Sequence, residues 1–452
     1  VGAGQTVDQL KLYGEAAKWF VEVGTHEATP QRLRWIRTLA CRAWWTATSG
    51  RHGPVHLNFP LREPLVLDPG DELPEDTSGR PGGRPWLSRP ATVTRLAQPP
   101  PAGHRGVVVA GRDERHPDLP EEVARFAQRA GWPLLADPLS RARRGPAAIA
   151  HYDALLRDQA FAAAQRPDVV LRVGDLPTSK PLRGWLAAQA EAEQVRVDPE
   201  EAWQDPDGVV ATMLVADPVE TLGALVPGTA DPGWLSAWRA ADRAATGAIA
   251  SALGGELSEP RVAIELGAGL PAEVTCFVAS SMPIRDAETF WPVRDPPPRA
   301  LGHRGANGID GTVSGALGAA AAGDGRAVLF IGDVALAHDL GALQSARRLG
   351  LALTIVLIDN DGGGIFHFLP VARERDAFEE HVATPHGLDF AKVAALYDCA
   401  YARPEDPAAL RSAVDAGLAG EGVSLVHVRT DRERNVTAHR AVWEAVSGAL
   451  TG

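Results

Sequence analysis

The sequence predicts an α/β protein built from three doubly wound parallel-sheet domains, the first of them incomplete. Three observations lead there. A chain of 452 residues holds about three domains of ordinary size. Short apolar runs rich in Val, Ile and Leu are bracketed by Gly, Pro or Asp, the pattern of buried strands. Those runs alternate with helical stretches, which implies parallel strands joined by right-handed crossovers.

Residues 6–49 read as helical segments. Leu10, Leu12, Ala16, Trp19 and Phe20 fall near helical spacing, and Leu33, Ile36, Leu39 and Ala40 form a second apolar face. "GPVHLNFP", from Gly53 to Pro60, is a short strand between breakers. Residues 1–66 therefore make only about half a domain. Residues 67–103 carry many Pro and Gly and read as a linker. The strand "GVVVAG" (Gly106 to Gly111) opens a unit over 104–256. It continues through a helix near 120–130, the strand "PLLAD", and the strands "PDVVLRVGD" and "QVRVD" around a helix near 180–190. Residues 234–270 are mostly helical. A last unit, 257–452, runs through "TCFVASS", "RAVLFIGD", a helix from about 336 to 349, "LALTIVLID", a helix from Asp389, and "SLVHVRT".

Composition narrows the function classes. Hydrophobic residues make up 45% and charged ones 23%, ordinary for a soluble globular protein. A net charge of -12 leaves no basic surplus to neutralise phosphates, so nucleic acid is not an expected partner. The three cysteines, Cys41, Cys276 and Cys399, form no CxxC, which fits a reducing compartment; the expected location is the cytoplasm. No run of about 18 apolar residues exists to span a membrane. The chain opens at Val1 and contains only Met213 and Met282, so it is expected to lack its own N-terminal part.

The chemistry concentrates at two strand ends. "AVLFIGD" and "LTIVLID" are joined by one helix, so both should end on the same side of the sheet, where open parallel sheets bind ligands. Asp333 ends the first strand and Asn360 follows the second, 27 residues later. A carboxylate, an amide oxygen and a backbone carbonyl near Gly362 are hard oxygen donors suited to Mg²⁺. Glycines 362–364 admit a ligand close to the backbone. Taken alone, the spacing equally fits turn and capping residues.

"GDVALAHDLGAL…TIVLIDNDGGGIFHFLP" resembles the thiamine-diphosphate enzymes, whose cofactor motif is a GD pair followed at a distance by Asn. More narrowly it is similar to the menaquinone-pathway family that makes 2-succinyl-5-enolpyruvyl-6-hydroxy-3-cyclohexene-1-carboxylate (SEPHCHC). Gly332-Asp333, His338-Asp339-Leu340, Asn360 to Phe366 and Phe368-Leu369-Pro370 occur in that family's order. The resemblance implies metal ligation by Asp333, Asn360 and the Gly362 carbonyl. It implies cofactor contacts from Gly305, Ile309, Gly332, Asp333, Asn360, Gly363 and Ile365. The metal would be Mg²⁺ or Mn²⁺.

Further blocks extend the resemblance. In "RGANGIDGTVSGALG", Arg304 would pair with a substrate carboxylate and Ile309 would wedge under the bent cofactor. "SSMPIR" places Ser281 and Arg285 where the family binds isochorismate. "TSKPL" puts Lys180 at a basic substrate contact, with Pro181 where a second basic residue can occur. "GAGQT" makes Gln5 a substrate contact, with Gly4 in place of the usual Asn. Phe366 and Leu369 would be apolar walls. Arg285, Arg304 and Ile309 are thereby carried over as the catalytic set.

The implied reaction is thiamine-diphosphate-dependent decarboxylation of 2-oxoglutarate and conjugate addition of the succinyl carbanion to isochorismate, yielding SEPHCHC and CO2. The implied assembly is a homodimer or homotetramer with cofactor sites between subunits. The family's catalytic glutamate has no match in this chain. Two alternatives stay open: another thiamine-diphosphate 2-oxo acid carboligase or decarboxylase, and a silent chain that only binds metal and diphosphate. "GAGLPA" (Gly267 to Ala272) imitates a dinucleotide fingerprint, but the next strand follows too soon for the helix that motif needs.

Overall fold

The computed structural model describes residue 4 and residues 6–63, 65, 80–87, 104–202 and 204–451. These fall into two units: Val1–Arg95 with Asp198–Trp203 and Val215–Asp217, and the remainder of the chain.

The first unit is a strand–helix–strand crossover. Strand Trp19–Glu22 pairs in parallel with Val55–Asn58, and helix Pro30–Thr48 joins them. Thr29 caps that helix, its side chain accepting the Arg32 N–H, and Pro30 supplies the fixed φ of a first helical position. The helical expectation for Leu10 to Phe20 is overturned. A turn, a short 3₁₀ segment Gly14–Ala16 and the strand occupy that stretch. Gly14 takes φ 52°, which breaks a helix, and the Trp-Phe-Val run pairs better as a strand than it would pack as a short helix.

The second unit contains two parallel sheets. One has the order Leu134–Ala136, Gly106–Ala110, Val169–Val173, Glu193–Val197, Thr212–Leu214. The other runs Ala400–Ala402, Val423–Arg429, Ala352–Asp359, Arg326–Gly332, Thr275–Val278, Arg299–Leu301. All pairings in both sheets are parallel. The central strands are apolar along their whole length because helices cover both faces: Val107, Val108 and Val109 are buried, as are Val328 to Ile331 and Ile355 to Ile358. Three short strands, Thr212–Leu214, Arg299–Leu301 and Ala400–Ala402, escape the sequence pattern. Each has three residues and lies at a sheet edge.

The helix expected from about 336 to 349 is broken. It forms as Asp333–His338, a 3₁₀ turn Leu340–Ala342, and Leu343–Leu349. Asp339 lies at the break, where its carboxylate accepts the Ser314 N–H of helix Thr312–Ala322 at 2.8 Å. The "GAGLPA" glycines close helix Glu259–Gly269. A Cβ at Gly267 would lie 2.7 Å from the Trp291 ring, so close packing explains that glycine without a nucleotide.

In the six-stranded sheet the chain passes from Thr275–Val278 to Arg299–Leu301 on one side, then returns to Arg326–Gly332 on the other. The order reverses between Thr275–Val278 and Arg326–Gly332. Diverging connections open a crevice at the carboxyl ends of those two strands.

Candidate active site

Both edges of the crevice carry expected residues. On one, Ser281 caps helix Met282–Phe290 with φ 75° and ψ -133°, a conformation that side chains other than glycine rarely adopt. Such strain costs about 1–3 kcal/mol and persists only where the surrounding structure holds it. Arg285 donates from Nη1 to the Ser281 carbonyl at 2.6 Å. On the other edge, Gly332 ends its strand and Asp333 begins the next helix.

Asp333 is 3% exposed. Its Oδ2 accepts the backbone N–H groups of Asn360 at 3.1 Å and Gly362 at 2.9 Å, while Oδ1 accepts the Val334 N–H. His386 Nε2 lies 3.2 Å from Oδ2. Burial pushes the Asp333 carboxyl upward despite the Gly362 and Val334 N–H donors and His386. A cation would relieve that burial cost.

Asn360 is also buried. Its Nδ2 donates to Glu259 Oε1 at 2.9 Å, and its Oδ1 has no hydrogen-bond partner. The neighbouring Asp359 is differently placed. Burial would raise it, but His427 Nε2 at 2.8 Å and Arg429 Nη1 at 2.7 Å hold the carboxyl at about 2. Among the described residues, Asp333, Asp359 and His386 form a metal-capable cluster, with one ligand atom from each within 4.8 Å of the others.

The three glycines do different work. Gly362 has φ 138°, and a Cβ there would lie 2.4 Å from the Ala383 carbonyl oxygen. A Cβ on Gly363 would meet Phe366 at 2.6 Å, and one on Gly364 would meet Asn360 Nδ2 at 2.6 Å. The Gly363 N–H donates to the Ala383 carbonyl and the Gly364 N–H to the Gly362 carbonyl. Phe366 and Leu369 are exposed at 37% and 47%; Ile365 and Gly363 are half-buried.

Ile309 packs against the core on the side of helix Thr312–Ala322. Gly305 takes φ 99° in the exposed loop before it. Arg304 is half-buried. Burial lowers its pKa, and the like charges of Arg112 and Arg183 act in the same direction against the Asp137 and Glu288 carboxylates. Arg285 is exposed by surface, yet atoms crowding its guanidinium, then Arg304 and Arg183, lower its pKa as well. Arg285, Arg304 and Arg183 thus lie within electrostatic reach of one another, with the Asp137, Asp286 and Glu288 carboxyl groups acting among them. Arg183, whose Nε is buried without a hydrogen bond, had no sequence signal beyond being three residues after Lys180. Lys180 is exposed and lines a cleft of about 1150 Å³ with Arg157, Trp185 and Trp443. No described contact joins it to Arg285 or Arg304. Gln5 lies outside the described residues.

Comparison with known proteins supplies the family. Residues 84–278 match the middle domain of thiamine pyrophosphate enzymes, and residues 284–428 their C-terminal TPP binding domain. The chain is 41% identical over 467 residues to a protein of Chloroflexus aurantiacus named 2-succinyl-5-enolpyruvyl-6-hydroxy-3-cyclohexene-1-carboxylate synthase, covering 99% of this chain and 78% of that one. Its namesake in Geobacillus thermodenitrificans is 42% identical with the same coverage, and that of Myxococcus xanthus is 40% identical over 99% and 80%. This chain belongs to the SEPHCHC synthase family.

The expected α/β fold with parallel sheets and the thiamine-diphosphate assignment are thereby borne out. The residues present also fit a diphosphate-bound cation. Asn360 Oδ1 is a buried acceptor without a partner and Asp333 is a buried carboxylate raised by its burial, whereas the glycines at 362–364 are accounted for by close packing against Ala383, Phe366 and Asn360 rather than by open space for a ligand. Sequence reading missed Glu259, His386 and Arg183. Only "HGLDF", close after the glycine block, could have pointed to His386.

Proposed function

We propose that this chain decarboxylates 2-oxoglutarate and adds the resulting succinyl unit to isochorismate, giving SEPHCHC and CO2 in menaquinone biosynthesis. Family membership supports the overall reaction. The single structural observation that carries the site reading is the buried Asp333–Asn360 pair at two neighbouring strand ends, with Asn360 Oδ1 unpartnered. Thiamine diphosphate, when bound, supplies the nucleophilic carbon and the electron sink for the decarboxylation.

The chain's own residues position and neutralise. Asp333, Asn360 Oδ1 and the Gly362 carbonyl would hold Mg²⁺ or Mn²⁺, a set of hard oxygen donors. Gly305, Gly332, Gly363 and Ile365 would border the cofactor, with Ile309 beneath its ring. Both substrates are dicarboxylates, and the mutual proximity of the Arg285 and Arg304 guanidinium groups supports their capture by charge-assisted hydrogen bonds. Ser281, Lys180 and Gln5 would complete the substrate contacts, and exposed Phe366 and Leu369 would exclude water from the reacting centre. Arg285, Arg304 and Ile309 remain the proposed catalytic set. The proposal includes a domain plan of 1–66, a linker 67–103, 104–256 and 257–452, a homodimeric or homotetrameric assembly, and a cytoplasmic location. Among the described residues no helix is long and apolar enough to cross a membrane.

Calorimetric titration of thiamine diphosphate with and without Mg²⁺, beside CO2 release from 2-oxoglutarate and from pyruvate, tests the reading. Metal-dependent binding is expected; CO2 from 2-oxoglutarate only in the presence of both supports the synthase reading, and binding without CO2 would favour a chain that holds metal and diphosphate without turnover. Metal-independent binding would sink the site assignment. Preference for pyruvate would favour another 2-oxo acid carboligase or decarboxylase.

A further inference from the structure

A metal-binding asparagine carries an ambiguity that shape cannot resolve. The oxygen and nitrogen ends of its amide have nearly the same size, so packing alone accepts either orientation, yet only the oxygen can ligate a cation. The amide must be pinned by a neighbour that accepts hydrogen bonds and does not donate them. A carboxyl group whose two oxygens both face side-chain donors is such a neighbour.

Glu259 occupies that place. It is the first residue of helix Glu259–Gly269, 101 residues before Asn360 in sequence, and 1% exposed. Its Oε1 accepts Asn360 Nδ2 at 2.9 Å and Thr430 Oγ1 at 2.9 Å; its Oε2 accepts Asn435 Nδ2 at 2.8 Å. Three donors therefore converge on the carboxylate. Rotating the Asn360 amide by half a turn would set its oxygen against Glu259 and leave its NH2 in the Oδ1 position. The orientation with Nδ2 on Glu259 is the one that leaves Oδ1 buried and unpartnered.

We infer that Glu259 is a positioning residue for the divalent-cation site: it fixes the Asn360 amide so that Oδ1, not Nδ2, is presented for ligation. Glu259 acts through Asn360. The inference rests on the proposed assignment of Asp333 and Asn360 as metal ligands. Hydrogen-bonded partners of metal ligands typically contribute about 10–100-fold to metal affinity. Glutamine at 259 can substitute in part, because its oxygen accepts Asn360 Nδ2 while its NH2 donates to a turned Asn435, whose Oδ1 is otherwise unpartnered.

Mn²⁺ affinity, read by electron paramagnetic resonance at saturating thiamine diphosphate, separates the possibilities. Glu259→Leu should weaken Mn²⁺ binding by at least about tenfold, and Glu259→Gln should stay within about threefold of the parent protein. His439→Gln disturbs the neighbouring buried pair; it should lower the melting temperature and leave Mn²⁺ affinity unchanged. Asp333→Ala should abolish the Mn²⁺ signal change. If Asp333→Ala does so and Glu259→Leu binds Mn²⁺ like the parent, the inference falls and the site reading stands. If Asp333→Ala leaves Mn²⁺ affinity intact, the site reading itself falls. Equal losses in Glu259→Leu and His439→Gln would make the role a general structural one and overturn the inference. Should Glu259→Leu not fold, a crystal structure of the Mn²⁺-loaded parent decides. Asn360 Nδ2 within about 3.2 Å of Glu259 is expected, and a gap beyond about 4 Å overturns the inference.

Discussion

Asn360 donates its backbone N–H to Asp333 Oδ2 at 3.1 Å, across the 27 residues that separate two neighbouring strand ends. The bond ties the two proposed metal ligands to each other before any ion arrives. Asp333 also accepts the Gly362 N–H, so one carboxylate organises the loop that contains the third proposed ligand.

Asp333→Ala should therefore act twice. Leaving two buried N–H groups unpaired costs about 1–3 kcal/mol each, which urea unfolding will read as a lower midpoint. Mg²⁺-dependent binding of thiamine diphosphate should disappear in calorimetry. Unchanged affinity would contradict the metal assignment.

Gly362→Ala should be among the costliest single-methyl substitutions in the chain. Its φ of 138° belongs to glycine, and the new Cβ would lie 2.4 Å from the Ala383 carbonyl. A loss of about 2–4 kcal/mol is expected from strain and clash together. Gly332→Ala, with nothing within 4 Å of its Cβ position, is the matched control. Equal unfolding midpoints for the two variants would refute the argument.

Arg285→Ala should raise the concentration of isochorismate needed for half-maximal rate by about 10–100-fold, the worth of one charge-assisted hydrogen bond to a carboxylate. The requirement for 2-oxoglutarate should move far less. Steady-state kinetics with each substrate varied in turn distinguishes them, and an effect confined to 2-oxoglutarate would reverse the allocation.

Stability should fall as pH rises through and above neutrality. His439 and Asp286 are buried and bonded at 2.9 Å between Nε2 and Oδ1. For His439, burial acts downward but the Asp286 carboxylate, its hydrogen bond and the more distant Glu259 outweigh it, so the pKa is raised. Asp286 is raised by burial, against the pull of His439 and Arg285. Both groups hold a proton more tightly folded than unfolded, so folding takes up protons. The His439 contribution is fully present below its ordinary value of about 6.5 and is lost as pH climbs through the raised folded value. Asp286 has the same sign at lower pH. Urea midpoints of the parent should drop as pH rises above about 6.5, and His439→Gln should flatten that slope. A midpoint that rises over this window would contradict the sign.

Much of the site was legible because it is local in sequence. Asp333 and Asn360 sit at the ends of two apolar strands, where a parallel sheet places ligands, and the glycine block follows at once. The strand at Trp19 was misread because aromatic and aliphatic residues over a few positions satisfy helical and extended spacing alike; pairing with Val55–Asn58 decided it. The helix break at Asp339 was invisible because it depends on Ser314, 25 residues away.

By itself the sequence determined the layered α/β architecture and the two strand ends that carry hard oxygen donors. Periodicity and turn chemistry act over a few residues, so they can be read from the chain directly. The tertiary structure alone decided what faces those donors. Glu259 reaches the Asn360 amide from 101 residues upstream, His386 approaches Asp333 from a later loop, and Arg183 joins Arg285 and Arg304 from another sheet's connection. A buried polar group must find its partner among whatever side chains the topology brings within about 3 Å, and that choice is made only when the sheets and helices have packed.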